Sequence, residues 1–395
     1  MPSSSLDSER LVLEALKSVR RLIGMEVAFI SEFAEGRRVF RYVDSLSEDV
    51  PVRVGASDPL EDSYCQRVVD GRLPELMHDA SRVAEARKLP ATAALPVGAH
   101  LSVPIRLSDG RVYGTFCCFS RRADNGLGER DVKTLRCFAD MTARFIEEQV
   151  VEEKRRRDLL VRHASVLEGE RFHAVYQPIV RLLDGAVIGH EALTRFIDEP
   201  IRAPDLWFNE AAEIGLQAQL EAAAIDKALR ALRHLPAQGY LSLNASPQTL
   251  LSGVLEPVLG AHPFERLILE VTEHASVDDY STIARAIEPL RKRGLRIAVD
   301  DAGAGFASFR HILKLQPEVI KLDNSLIRQI DSTRQYRALA AAVQRFAEQT
   351  GSAVVAEGVE AEAQLQVLRD LGVGHAQGYL LGRPRPIEDL LEQRG

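Results

Sequence analysis

Apolar residues recur every three or four positions over Ser8–Gly24, at Leu11, Leu13, Leu16, Val19 and Leu22, which predicts an amphipathic opening helix. The period then falls to two. Val27–Phe33 and Val39–Val43 flank Glu35-Gly36, and Leu101–Leu107 and Val112–Phe119 flank Asp109-Gly110, so two β-hairpins are expected. Between them Val50–His100 is mixed and punctuated by Pro and Gly, a loop region suited to enclosing a ligand. Arg130–Leu167 has neither Gly nor Pro and repeats Val132, Leu135, Phe138, Met141 and Phe145 at helical steps, predicting one long helix. Its later apolar residues, Phe145, Ile146, Val150 and Val151, read as a stripe facing a partner helix in a dimer.

From Arg171 onward strand and helix patterns alternate. Candidate strands are His173–Val180, Ala186–Leu193, Tyr240–Asn244, Arg266–Thr272, Leu295–Asp300, Glu318–Leu322, Ser352–Glu357 and His375–Leu380. Repeated β–α units without a dinucleotide-type glycine fingerprint point to a (β/α)8-type barrel, whose chemistry sits at the carboxyl ends of its strands. The expected organisation is an α+β domain over 1–150, a connecting helix over 130–167 and a barrel over 168–395.

Composition narrows the function classes. The chain has 395 residues, 46% hydrophobic and 27% charged, with a net charge of −7, which argues against binding polymeric nucleic acid through a general basic surface. No apolar run approaches the roughly 18 residues that span a bilayer, and the polar Met1–Glu9 lacks a signal-peptide apolar stretch, so the expected location is the cytoplasm, away from the membrane. The four cysteines, Cys65, Cys117, Cys118 and Cys137, show neither metal-ligand spacing nor a catalytic pattern. Cys117 and Cys118, inside TFCCF, read as small buried hydrophobes.

The chemistry lies where the strands end. RIAVDDAGAG (Arg296–Gly305) runs from a buried strand into adjacent acids, Asp300 and Asp301, which repel one another and lose hydration unless a cation holds them. An isolated Asp pair would be read as a helix cap, but LSLN, LILE, VIKLD and AVVAE repeat the design. Their ends bring Glu191, Asn244, Glu270, Asp300, Asp301, Lys321 and Glu357 to one mouth, and strand parity points them inward, Ser242 sharing a face with Asn244 and Ile268 with Glu270. All the candidate ligands are oxygen donors, which disfavours zinc and favours Mg²⁺ or Mn²⁺, with Ca²⁺ able to bind but poorly suited to catalysis. So many carboxylates suggest two ions, the arrangement that cleaves phosphodiesters by in-line attack.

YQPI (Tyr176–Ile179), HEALTRF (His190–Phe196), LNASP, LEVTE, DDAGAG, KLD, AEGVE and HAQGYLLGRP resemble, in order and spacing, the EAL-domain phosphodiesterases of cyclic di-GMP. The resemblance covers about Arg171–Pro386. It implies a TIM-like barrel with an antiparallel first strand and hydrolysis of one phosphodiester to linear pGpG, while the connecting helix together with the DDAGAG loop leads to the expectation of a homodimer. It also implies that Glu191, Asn244, Glu270 and Asp300 ligate one metal, that Asp300 bridges to a second held by Asp301 and Glu357, and that Lys321 stabilises the attacking hydroxide. Glu357 is an alternative base, and Asp301 belongs to the same catalytic group. Gln177, Leu193, Arg195 and Gln377 match substrate-side positions, with Gln377 also supporting the site, and Glu273 and Glu360 match supporting ones. The family's commonest loop, DDFGTGYSS, reads DDAGAGFAS here, so Ala302, Ala304 and Phe306 depart from it and leave dimer geometry and regulation open. The segments Ser63–Ala80 and Leu101–Phe119 make the first domain similar to a GAF domain, which implies a sensory or dimerising module. Its ligand is open between haem, a cyclic nucleotide, a redox signal and none.

Overall fold

The computed structural model describes residues 3–47, 52–94, 97–199, 201–271, 280–302 and 312–392. The chain divides into two compact units, 1–156 and 157–395. Among the described residues no helix is long and apolar enough to cross a membrane.

In the first unit β1 (Val27–Ala34), β2 (Arg37–Ser45), β3 (Ser57–Pro59), β4 (Leu76–Met77), β5 (His100–Arg106) and β6 (Val112–Phe119) form one antiparallel sheet in the order β3-β2-β1-β6-β5-β4. Period-two alternation gives this sheet two apolar faces. Ala28, Ile30, Leu101, Val103, Ile105, Phe116 and Cys118 pack on helices, whereas Val27, Phe29, Phe40, Cys117 and Phe119 meet the cover formed by residues 52–94 and Val97.

The opening helix is Ser3–Ile23, but its buried stripe is Val12, Leu16, Val19 and Ile23. The expected Leu11 and Leu22 are exposed, because steps of four, three and four from Val12 keep one face on the sheet and turn those leucines to solvent. The long helix is Glu129–Glu168, 40 residues and so about 60 Å at 1.5 Å per residue. Its supposed partner-facing stripe is corrected as well: Ile146 is fully buried, and Phe145 and Val150 pack against the first unit's own core, leaving Val151 exposed.

The second unit is a closed eight-stranded barrel, β10-β11-β12-β13-β14-β7-β8-β9, formed by β7 (Phe172–Arg181), β8 (Val187–Phe196), β9 (Tyr240–Ala245), β10 (Leu267–Val271), β11 (Arg296–Ala302), β12 (Val319–Leu322), β13 (Ala353–Ala356) and β14 (His375–Ala376). β7 runs antiparallel to both its neighbours, and the other pairs are parallel. Alternation makes two cores. Ile179, Tyr240, Ile268, Ala298, Val319 and Val355 fill the barrel, while Leu241, Leu243, Leu269, Ile297, Ile320 and Val354 pack outward among the helices.

The last strand is much shorter than the expected His375–Leu380. After Ala376 the backbone closes on Val359: Val359 N donates to Gln377 O at 3.0 Å and Leu380 N to Val359 O at 3.1 Å. A Cβ at Gly378 would lie 2.2 Å from Val359 backbone atoms, so only glycine permits this approach, and the ladder ends there.

Candidate active site

The barrel register brings the polar ends together. Gln177 lies opposite Glu191, Glu191 opposite Ser242, Asn244 opposite Glu270, and Lys321 opposite Val355, two residues before Glu357. These positions share the parity of Ile268, Ala298, Val319 and Val355, so each inward strand face changes from apolar within the barrel to polar at its mouth.

Lys321 is the centre of this set. Its side chain is 2% exposed, and its Nζ donates to Glu270 Oε2 at 2.5 Å and pairs with Glu357 Oε1. Asp300 Oδ1 follows at 3.6 Å and Glu191 Oε2 at 3.7 Å. Amides fix the periphery: Asn244 Nδ2 donates to Glu191 Oε1 at 3.0 Å, and Gln377 Nε2 donates to Glu191 Oε2 at 2.6 Å and to Gln177 Oε1 at 2.9 Å. Gln177 Nε2 in turn donates to Gly382 O at 3.0 Å.

Ser242 Oγ donates to Glu270 Oε1 at 2.5 Å, a role that parity alone did not assign. Its place two residues before Asn244, on the inward face of β9, was the available signal. Leu193 and Arg195 follow Glu191 along β8, both half-buried, and Arg195 Nη1 donates to Thr194 O at 2.9 Å. Glu360 is exposed. Glu273, the side chain of Asp301, and the loop residues Ala304 and Phe306 lie outside the described residues.

Four carboxylates around one ammonium leave an excess of negative charge. Burial, reinforced by the charge of Glu191, pushes the Glu270 carboxyl up to about 8 despite Lys321. Burial likewise drives Glu357 well above the ordinary carboxylate range, whereas for Glu191 it is outweighed by the Lys321 charge and the amide hydrogen bonds, which hold that group down. Burial also opposes the Lys321 charge, but the carboxylates of Asp300, Glu191, Glu270 and Glu357 together raise it. Among the described residues no three acidic or histidine side chains converge on one point as metal ligands, since the carboxylates turn to Lys321. The donor set nevertheless fits Mg²⁺ or Mn²⁺: it is all oxygen, and it holds more negative charge than one ammonium neutralises, so that two carboxyls favour protons a divalent cation would displace.

Residues 160–384 match the EAL domain family, and residues 5–147 match the GAF domain family. The chain belongs to the EAL-domain family. This EAL-domain chain is 32% identical over 240 residues to MucR of Pseudomonas aeruginosa, named a bifunctional diguanylate cyclase/cyclic di-GMP phosphodiesterase, covering 58% of this chain and 35% of MucR. It thus spans about a third of that curated relative. The solved MucR phosphodiesterase in complex with c-di-GMP superposes with a TM-score of 0.54 and 30% identity, over 59% of this chain and all of that one. BlrP1 of Klebsiella pneumoniae, solved at pH 6 as a manganese and cyclic di-GMP complex, gives a TM-score of 0.50 with 28% identity, over 54% of this chain and 56% of BlrP1.

Proposed function

We propose that the barrel hydrolyses one phosphodiester bond of cyclic di-GMP to give linear pGpG. The observation that carries this reading is the buried Lys321 ammonium among Glu191, Glu270, Asp300 and Glu357 at the mouth of an EAL-family barrel. In this reading Glu191, Asn244, Glu270 and Asp300 would hold one Mg²⁺ or Mn²⁺, and Asp301 and Glu357, with Asp300, would hold a second. Two such ions, when bound, supply an activated water and neutralise charge on the phosphoryl oxygens.

The chain's own side chains do the rest. Lys321, buried and fixed by its ion pairs, donates to the negative charge that develops during attack. Glu357, as the ionised carboxylate, accepts the proton of the attacking water. Ser242 and Gln377 hold Glu270 and Glu191 in place through the hydrogen bonds above. Arg195 offers its guanidinium to the substrate phosphate, and Gln177 and Leu193 line the approach. Glu273 and Glu360 are supporting residues in this reading. Incubating the purified chain with cyclic di-GMP and Mg²⁺ or Mn²⁺ is expected to yield linear pGpG, and tight binding without any product would instead make the barrel a receptor.

The same reading places the protein in the cytoplasm as a homodimer, with 1–150 as a GAF-type sensory domain that regulates 168–395 through the helix of 130–167. A barrel fragment for testing this needs the end of that helix: Leu159 and Val166 are buried, and His163 bridges Leu159 O at 2.9 Å and Trp207 O at 3.1 Å. A fragment starting at Arg157 is expected to fold and to differ from the full chain in turnover or oligomeric state. Identical rate, metal dependence and oligomeric state would mean that the first domain regulates nothing through the helix.

A further inference from the structure

The covered face of the first unit's sheet carries a polar cluster that the proposed phosphodiesterase does not use. Cys65, on the short helix Tyr64–Val69, and Cys117, on β6, are both fully buried, with their sulfurs 3.5 Å apart. Cys117 does not behave as the small hydrophobe its sequence context suggests: its sulfur meets Ser102 Oγ at 3.0 Å and Thr115 Oγ1 at 3.1 Å. Cys118 does, lying on the opposite face in the helix-packed core.

Arg38 Nη1 donates to Cys65 Sγ at 3.3 Å, and the guanidinium is held in place by Asp58 and by the rings of Phe40 and Phe29 beneath it. Burial alone would make both thiols inert, but the cation 3.3 Å from Cys65 favours its thiolate and the 3.5 Å contact sets that thiolate within attacking reach of a second sulfur.

We infer that Cys65 and Cys117 form an oxidisable dithiol whose disulfide ties the helix Tyr64–Val69 to strand β6, with a small peroxide as oxidant. The asymmetry of the pair supports this. Burial works against a Cys65 thiolate, but the hydrogen bond to Cys117 and the charge of Arg38 outweigh it and bring that thiol down, whereas burial and the neighbouring Cys65 push Cys117 up.

The Cys65 thiolate attacks one peroxide oxygen, the O–O bond breaks, and the departing hydroxide takes up a proton to become water. Cys65 is then a neutral sulfenic acid, and the charge that held the Cys117 proton is gone. The Cys117 sulfur attacks Cys65 Sγ, and the sulfenic hydroxyl leaves with the Cys117 proton as the second water. Two thiols are oxidised and one peroxide is reduced to two waters. Burial of both sulfurs sets the size of the reagent, because a maleimide cannot reach them in the folded chain.

The test uses the full chain and reads thiol chemistry, so it is independent of the proposed phosphodiesterase activity. The reduced protein is treated with hydrogen peroxide, quenched with catalase, denatured in N-ethylmaleimide and mapped by peptide mass spectrometry. Of the four thiols, two are expected to escape alkylation, in a Cys65–Cys117 linked peptide lighter by two hydrogens and restored by dithiothreitol. In Cys117→Ala, denaturation into dimedone is expected to capture Cys65 as a sulfenic acid. Four alkylatable thiols after peroxide, or a bridge running to Cys118 or to the exposed Cys137 instead, overturns the assignment.

Discussion

Lys321→Ala is expected to lower kcat for cyclic di-GMP by roughly 10²–10³-fold, the usual cost of losing one fixed donor to a developing negative charge, with KM nearly unchanged. Lys321 is held by four carboxylates on four strand ends, so its position is set before substrate arrives and its donor is not consumed in ground-state binding. The same substitution removes the only ammonium from that ring of described side chains and leaves the buried Glu191, whose carboxyl Lys321 holds down, without its charge partner. Breaking a buried pair in this way costs about 3–5 kcal/mol, so a thermal melt without divalent cation should show the variant clearly destabilised. Lowering the pH or adding Mn²⁺ should recover part of the loss, because protons and cations both relieve the uncompensated carboxylates. A variant that binds substrate poorly yet turns over normally at saturation would refute the role given to Lys321.

Exhaustive chelation is expected to abolish turnover, and Mg²⁺ or Mn²⁺ to restore it. Ca²⁺ should bind the same oxygens and inhibit, since it accepts loose geometry and polarises water weakly. Full activity after chelation would remove the two-ion reading. Stability should carry the same signature. Glu270 is raised in the fold to about 8 from an ordinary value near 4.5, so the folded chain holds a proton there that the unfolded chain has released. Its contribution is therefore fully present below about pH 4.5 and is lost as pH rises through the raised value. Chelated protein should lose melting temperature between about pH 5 and 8. Saturating Mn²⁺ should flatten that slope, because a bound cation displaces the proton. A chelated protein whose stability rises across this range would show that Glu270 is ionised without help.

Much of this site was legible before any coordinates. Parity along a strand is a local property, so Glu270 following Ile268 and Lys321 following Val319 already implied inward-pointing groups above an apolar barrel filling. The antiparallel β7 and the match to the EAL family agree with what the ordered motifs implied, and the GAF match agrees with the likeness of Ser63–Ala80 and Leu101–Phe119. Local patterning was weaker where two faces are both apolar. The opening helix offers leucines on more than one side, and only docking against Ala28, Ile30 and Phe116 selects Val12, Leu16, Val19 and Ile23 over Leu11 and Leu22. Phe145 and Val150 likewise look available to a partner until the sheet that covers them is known.

The sequence by itself determined which polar residues follow the apolar runs around the mouth and which way they point, because hydrophobic periodicity and backbone geometry act over a few residues. Only the tertiary structure decided what those groups meet. Lys321 is separated from Glu191 by more than a hundred positions, and Cys65 from Cys117 by 52, yet closure of the barrel and stacking of the cover on the sheet bring each pair within reach. Electrostatics follows from that closure: the direction in which a buried carboxyl or thiol shifts depends on distances that no local pattern encodes, and on water that only a packed interior excludes.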